Sequence, residues 1–230
     1  MTSKISSAPV PPLLTIIIPV FDNTEELDKN ILGLLLQTET RWEAIYAFYG
    51  SNPALSRTIE CASTMNPRYR LIQEDKSRTI GELFNRCLDT AQGDTILILH
   101  AEDYLSPDDL ARLTSAIAEH PTEEHSFIIR RSNDINPPIF HNQIPHTLPD
   151  HEEVNALLSP EETHYYLYKR STITKHKLRF EPTNSITFHQ DFTIAYAQHT
   201  KTVWVIPDEL SSFFTSFITP EDFTYPSFVD

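Results

Sequence analysis

The chain has 230 residues, 40% of them apolar, which is enough to bury a core of its own, and its 32 acidic against 18 basic side chains leave a formal charge of −14. That field repels phosphate backbones, and no Lys/Arg stripe interrupts it, which argues against nucleic acid as a partner. An anionic ligand would need a local device: a metal ion, a helix N-terminus or a few placed cations.

Residues 1–12, "MTSKISSAPVPP", carry no apolar leader core and read as a flexible tail, with residues 13–230 as a single domain. From Leu14 to about Arg131, short branched apolar runs alternate with longer helical patterns, the habit of a parallel sheet flanked by helices. "LLTIIIPV" is the first strand, and Asn23 with Glu26 predicts a capping box opening a helix to about Gln37. "WEAIYAFY" is the second strand and stops at Gly50, after which "NPALSRTIECAST" is a helix with Pro53 in its first turn. "YRLIQE" is the third strand, and "TIGELFNRCLDTAQ" a helix closed by Gly93 as its C-cap.

The fourth strand, "TILIL", runs straight into His100, Ala101, Glu102 and Asp103. Behind them Ser106, Pro107, Asp108 and Asp109 are good starting residues for a helix to about His120. "SFIIRR" predicts another strand. Residues 132–160, proline-rich and without glycine, are a long connection with no predicted element, and His141, His146 and His151 within it are read as loop residues. "HYYLYKRS" passes from strand into helix, followed by a helix near 188–199 and the strand "TVWVIP". Cys61 and Cys87 each sit in a helical pattern, which suits a reducing, cytoplasmic setting and neither a disulfide framework nor a metal knuckle. No apolar run approaches the roughly 20 residues of a membrane span, which leaves peripheral association with a membrane open.

Four blocks then resemble, in order, those of the family 2 glycosyltransferases over about residues 14–210. They are "TIIIPVFDN", "QTETRWEAIYAFYGS", "TIGELFNRCLDTAQGDTILILHAEDYLSPDDL" and "YKRSTITKHKLRFEPTNSITFHQDFTIAYA". The resemblance implies an α/β fold of GT-A type, with a Rossmann-like, mostly parallel central sheet and helices on both faces. It implies a nucleotide-sugar-binding half at 13–131 and an acceptor-side half at 132–230. A nucleotide-sugar donor, UDP-linked by analogy, a glycan or glycoconjugate acceptor, inversion, and Mn²⁺ or Mg²⁺ follow from the same resemblance. Matched residue by residue, Asp22 and Asn23 fall in the turn toward the nucleoside, Gly50 and Ser51 are what is left of Asp-Asp-Gly-Ser, and Asn85 is the helix asparagine. His100-Ala101-Glu102 stands where the family has Asp-x-Asp, with Asp103 following, and Asp191 falls at the general base.

The departures bear on the chemistry. Phe48 and Tyr49 replace the Asp-Asp, His100 replaces the first acid of Asp-x-Asp, Phe84 replaces an Arg, and Gln190 replaces the acid before Asp191. Sugar transfer needs charge neutralised on the departing diphosphate and a base for the incoming hydroxyl. Glu102 can still offer a hard oxygen to a cation, and His100 a nitrogen that Mn²⁺ accepts better than Mg²⁺. Plainer readings stand beside these. "HAED" can be a polar turn, Asp103 can serve the following helix, and Asp191 can stabilise its own helix start. Phe48 and Tyr49 can be core aromatics or can stack on a base. Lys169 and Arg170 can neutralise phosphate or simply be solvated. Two functions fit: a transferase of polysaccharide or glycoconjugate biosynthesis, or an inactive GT-A-like binding or scaffold module. No G-x-G-x-x-G follows the first strand, which argues against a dinucleotide oxidoreductase.

Overall fold

The computed structural model describes residues 11–103, 105–119, 125–130, 146–147, 164–184, 188–200 and 202–206. The strands are β1 (Leu14–Phe21), β2 (Trp42–Tyr49), β3 (Tyr69–Glu74), β4 (Thr95–Ile98), β5 (His125–Arg130), β6 (His146–Thr147), β7 (His164–Lys169) and β8 (Thr202–Ile206). The helices are α1 (Leu27–Leu35), α2 (Pro53–Met65), α3 (Ile80–Thr90), α4 (Asp109–Glu119), α5 (Arg170–His176) and α6 (Phe188–Ala197). The described strands form one sheet in the order β3-β2-β1-β4-β7-β5-β8-β6. β3, β2, β1 and β4 pair in parallel, and β7 enters antiparallel beside β4. β5 and β8 again run with the parallel block. This is the α/β sheet the sequence predicts.

Parallel strands must be covered on both faces, and the residue pattern does this. Leu14, Ile16, Ile18 and Val20 of β1 pack under α1, α2 and α4 through Leu34, Ile59, Leu110 and Leu113. Ile17, with Ile45 and Ala47 of β2, packs against Leu83, Phe84 and Cys87 of α3 and against Phe192 and Tyr196 of α6. Each fully buried Leu, Ile or Phe contributes roughly 1.5–3 kcal/mol of transfer free energy. The continuous apolar run of β1 is therefore the central strand between two half-cores. Among the described residues no helix is long and apolar enough to cross a membrane.

Local expectations differ from the structure in four places. The capping box at Asn23 does not form. Thr24 instead closes a turn on Phe21, and α1 starts after Glu26, which takes a left-handed φ of 55° with no side-chain cap. The helix expected to open at Ser106 and Pro107 starts two residues later. α4 begins at Asp109, whose carboxylate accepts from the Ser106 N–H, and the side-chain Oε1 of Gln37 accepts from the Leu110 N–H across 73 residues. Gly93 is not a left-handed C-cap, since no glycine has positive φ among the described residues. It is small because a Cβ there would lie 2.4 Å from the Thr15 nitrogen of β1. His146, read as a loop residue, lies in β6 and pairs with Val203. The predicted tail lies outside the described residues apart from positions 11 and 12, as does the 132–160 connection apart from β6.

Candidate functional site

The parallel register brings the carboxyl ends of β1 to β4 to one edge. Phe21 pairs with Tyr49, Tyr49 with Glu74, and Ile17 with Ile98, so the chain leaves the sheet there at Asp22, Gly50, Asp75 and His100. A crevice beyond the carboxyl ends of parallel strands is where open α/β sheets bind ligands.

Asp22 ties this edge together. Its Oδ1 accepts from the backbone N–H of Ser51 at 2.7 Å and of Asn52 at 2.8 Å, and its Oδ2 lies 3.5 Å from Lys76 Nζ. Burial pushes the Asp22 carboxyl up, but the two N–H groups and Lys76 outweigh it and hold the group below its ordinary value. Gly50 is required by this approach, because a Cβ there would fall 2.3 Å from Asp22 Oδ1. Gln73 closes the β2–β3 side by donating to the Gly50 carbonyl at 3.0 Å and accepting from Ser56. Next to this knot lies an open groove of about 660 Å³ lined by Gln73, Glu74, Asp75, Ser77, Arg78 and Arg86. Two of these lining residues, Arg86 and Glu74, form an ion pair.

At the end of β4 the four residues after Leu99 form a tight turn. Asp103 is 1% exposed, and its Oδ2 accepts from the His100 N–H at 2.9 Å and from the Tyr165 hydroxyl at 2.7 Å. Asn30 of α1 donates to the carbonyls of His100 and Asp103, and itself accepts from Tyr46. The His100 ring meets the Tyr165 ring edge-on at 5.9 Å. Asp103 thus holds the turn, and Glu102 is left half-buried at its tip. Burial pushes the Glu102 carboxyl above its ordinary value. Its own backbone N–H and His100 oppose that rise, and the charges of Asp103 and Glu25 add to it. Among the described residues no three His, Cys, Asp or Glu side chains cluster as a metal cage. One carboxylate and one imidazole suit an ion that brings phosphate oxygens and waters with it.

The two aromatic residues at the end of β2 are core residues. Phe48 is buried in the half-core beneath α1 and α2, and Tyr49 in the one beneath α3. The Tyr49 hydroxyl donates toward Arg78 O at 3.0 Å and toward Asn184 Oδ1 at 3.3 Å, and burial pushes this phenol up despite the bond to Asn184. β2 therefore offers the edge no acidic side chain, only the backbone at Gly50 and Ser51.

The family model described as Glycosyl transferase family 2 matches residues 15–194. This chain belongs to glycosyl transferase family 2. S. aureus TarS, in a structure of its residues 1–349, is similar at 19% identity and a TM-score of 0.67, over 85% of this chain and 58% of that one. The same protein in complex with UDP aligns at 18% identity and a TM-score of 0.67, over 91% and 62%. A mannosyltransferase from Pyrobaculum calidifontis, in complex with GDP-Man and Mn²⁺, aligns at 15% identity and a TM-score of 0.54, over 87% and 56%. These likenesses give the fold, and it is GT-A. An uncharacterized protein of Mycobacterium tuberculosis is 26% identical over 136 residues, which is 58% of this chain and 42% of that protein. The chain thus spans less than two thirds of the length of these relatives.

Within this family 2 fold the expected site residues fall into separate groups. Asp22, Gly50, Ser51, His100, Glu102 and Asp103 share the carboxyl edge, and Asn23 is exposed in the turn after β1. Asn85 lies in the second turn of α3, where its amide donates to Phe180 O at 2.8 Å and accepts from Phe180 N at 2.9 Å, so it fastens a loop. Asp191 is exposed in the first turn of α6, on the α3 side of the sheet. Among the described residues no hydrogen bond or ion pair joins it to Glu102. Lys169 and Arg170 lie at the opposite edge. Lys169 pairs with Thr95 at the start of β4, and Arg170 bonds Gly93 O, so neither faces the crevice at the strand ends. Sequence reasoning missed Lys76, Gln73 and Asn184, because their partners lie between 17 and 135 residues away and no local pattern marks them.

Proposed function

We propose that this chain transfers a sugar from a nucleotide-sugar donor, UDP-linked, to a glycan or glycoconjugate acceptor with inversion, in polysaccharide biosynthesis at the cytoplasmic side. The observation that carries this reading is the half-buried Glu102 at the tip of β4, on the edge that also holds Asp22, Gly50 and the polar groove. The similar structures in complex with UDP, or with GDP-Man and Mn²⁺, support a nucleotide-sugar donor. In this reading residues 13–131 bind the donor and 132–230 carry the acceptor side of one domain. Asp22, Asn23, Gly50 and Ser51 present the edge to the nucleoside, and Asn85 supports it from behind. Glu102 and His100 would hold Mn²⁺ or Mg²⁺, with Asp103 shaping the turn that aims them. When bound, the ion offsets charge on the departing diphosphate. Asp191 accepts the proton of the incoming hydroxyl.

Calorimetry with UDP tests it. Wild type should bind UDP more tightly with Mn²⁺ than without, and Glu102→Ala should lose that difference, a tenfold or greater weakening. Equal affinity of wild type with and without Mn²⁺ counts against the metal role, and no binding at millimolar UDP counts against the whole reading. A second reading has its own observation: Phe48 and Tyr49 are buried where family members carry acids, and the Asp103 carboxylate is engaged in its own turn. These favour a binding or scaffold module without turnover. Turnover of UDP-GlcNAc by the purified chain, abolished in Asp191→Asn, would refute that module.

A further inference from the structure

We propose that Tyr49 and Asn184 are positioning residues that strut the donor groove against the segment leading into α6, and so set the place of Asp191. This rests on the transferase reading above. A hydroxyl has one proton to donate, and that of Tyr49 has two acceptors from different parts of the chain, Arg78 O at 3.0 Å and Asn184 Oδ1 at 3.3 Å. Arg78 lines the groove. Asn184 Oδ1 also accepts the Ile80 N–H at 2.9 Å, at the start of α3. The segment from Leu178 to Asn184 is pressed onto that helix. Gly81 N–H donates to Thr183 O at 3.2 Å, a Cβ on Gly81 would lie 1.8 Å from Glu181 O, and Asn85 grips both backbone groups of Phe180. Phe180 in turn stacks on Phe192, centroids 4.0 Å apart at 14°, and Phe192 is the residue after Asp191. A continuous set of contacts therefore runs from the groove wall through Tyr49 and Asn184 to α6.

Tyr49→Phe removes only the hydroxyl, Asn184→Ala removes the shared acceptor, and Asn184→Asp keeps an acceptor oxygen. In ligand-free protein, hydrogen exchange of amides in 188–197 should quicken at least threefold in Tyr49→Phe and Asn184→Ala, with α2 unchanged and Asn184→Asp restored toward wild type. With UDP-GlcNAc as donor and water as acceptor, kcat should fall about tenfold in the first two variants while the affinity for UDP stays within threefold of wild type. Unchanged exchange in α6 overturns the strut, as does a loss of UDP affinity in step with kcat. Absence of UDP binding by wild type overturns the transferase reading separately, because the exchange measurement needs no donor.

Discussion

Single carboxylates do different work at the carboxyl end of β1 and ahead of β2. After β1, Asp22 satisfies two backbone N–H groups of the loop after β2 and pairs with Lys76 of the loop after β3. Hydrogen bonds to a charged acceptor are worth about 1.5–3 kcal/mol where buried and less at an exposed site. Asp22→Ala should therefore cost about 1–2 kcal/mol in a denaturant titration and weaken UDP at least tenfold, because the loops it ties form the groove edge. Before β2, Glu39 accepts from Arg41 Nε at 3.1 Å and Nη2 at 2.8 Å. The Arg41 side chain first, against the opposing effect of burial, and then the Arg41 and Thr40 N–H groups, hold the Glu39 carboxyl at about 2 where 4.5 is ordinary. A depressed folded value means the stabilisation is present above the unfolded value and is lost as pH falls through the folded one. With the guanidinium in solvent, screening leaves only a small part of that stabilisation. Glu39→Gln should thus be less stable than wild type at pH 7, and the difference should close between pH 4.5 and about 2.

At the scale of elements, helix starts are set from a distance. α3 has a capping box of its own, Thr79 with Glu82, as a local pattern can supply. α4 relies on Gln37 from the end of α1, and α1 has no side-chain cap at all. The start of α3 is also where the 178–184 segment docks, through an opening that only glycine leaves. Gly81→Ala would place a methyl 1.8 Å from a backbone oxygen, so helix or loop must move. Overpacking of this kind costs about 1–3 kcal/mol. The expected outcome is a lower melting temperature and faster hydrogen exchange in 178–184. Unaltered exchange there would mean that the loop gives way at no cost.

For the molecule as a whole, the charge of −14 sets the conditions under which an anionic donor would bind. Three cations, Lys76, Arg78 and Arg86, stand at the groove or its edge, but Lys76 is shared with Asp22 and Arg86 with Glu74. The net field therefore opposes a diphosphate at long range. In metal-free buffer UDP affinity should rise as ionic strength goes from about 20 mM to about 200 mM, because salt shortens the range of that repulsion. A falling affinity would show that local cations outweigh the net charge. Family membership and fold are settled at this scale, since the match spans 180 residues from 15 to 194 and the sheet order places every parallel strand end on one side.

Periodicity by itself determined the strands and helices of the first 120 residues, their alternation, and so a parallel sheet with a ligand edge at the carboxyl ends. These are short-range facts: a branched apolar run is buried on both faces whatever surrounds it, and the turn after it must reach solvent. The same logic singled out "HAED" at the end of β4. Only tertiary structure decided what each polar residue there does. Asp103 turned inward because Tyr165, 62 residues on, supplies a hydroxyl. Gly50 is small because Asp22 lies against it, and Gly93 because β1 does. Asn85 became a loop fastener because Phe180, 95 residues away, offers both backbone groups to it. Lys169 and Arg170 were placed at the far edge by the antiparallel entry of β7. Hydrogen bonds are short and directional, so a side chain's partner is chosen by which backbone comes within about 3 Å, and chain order carries no record of that approach.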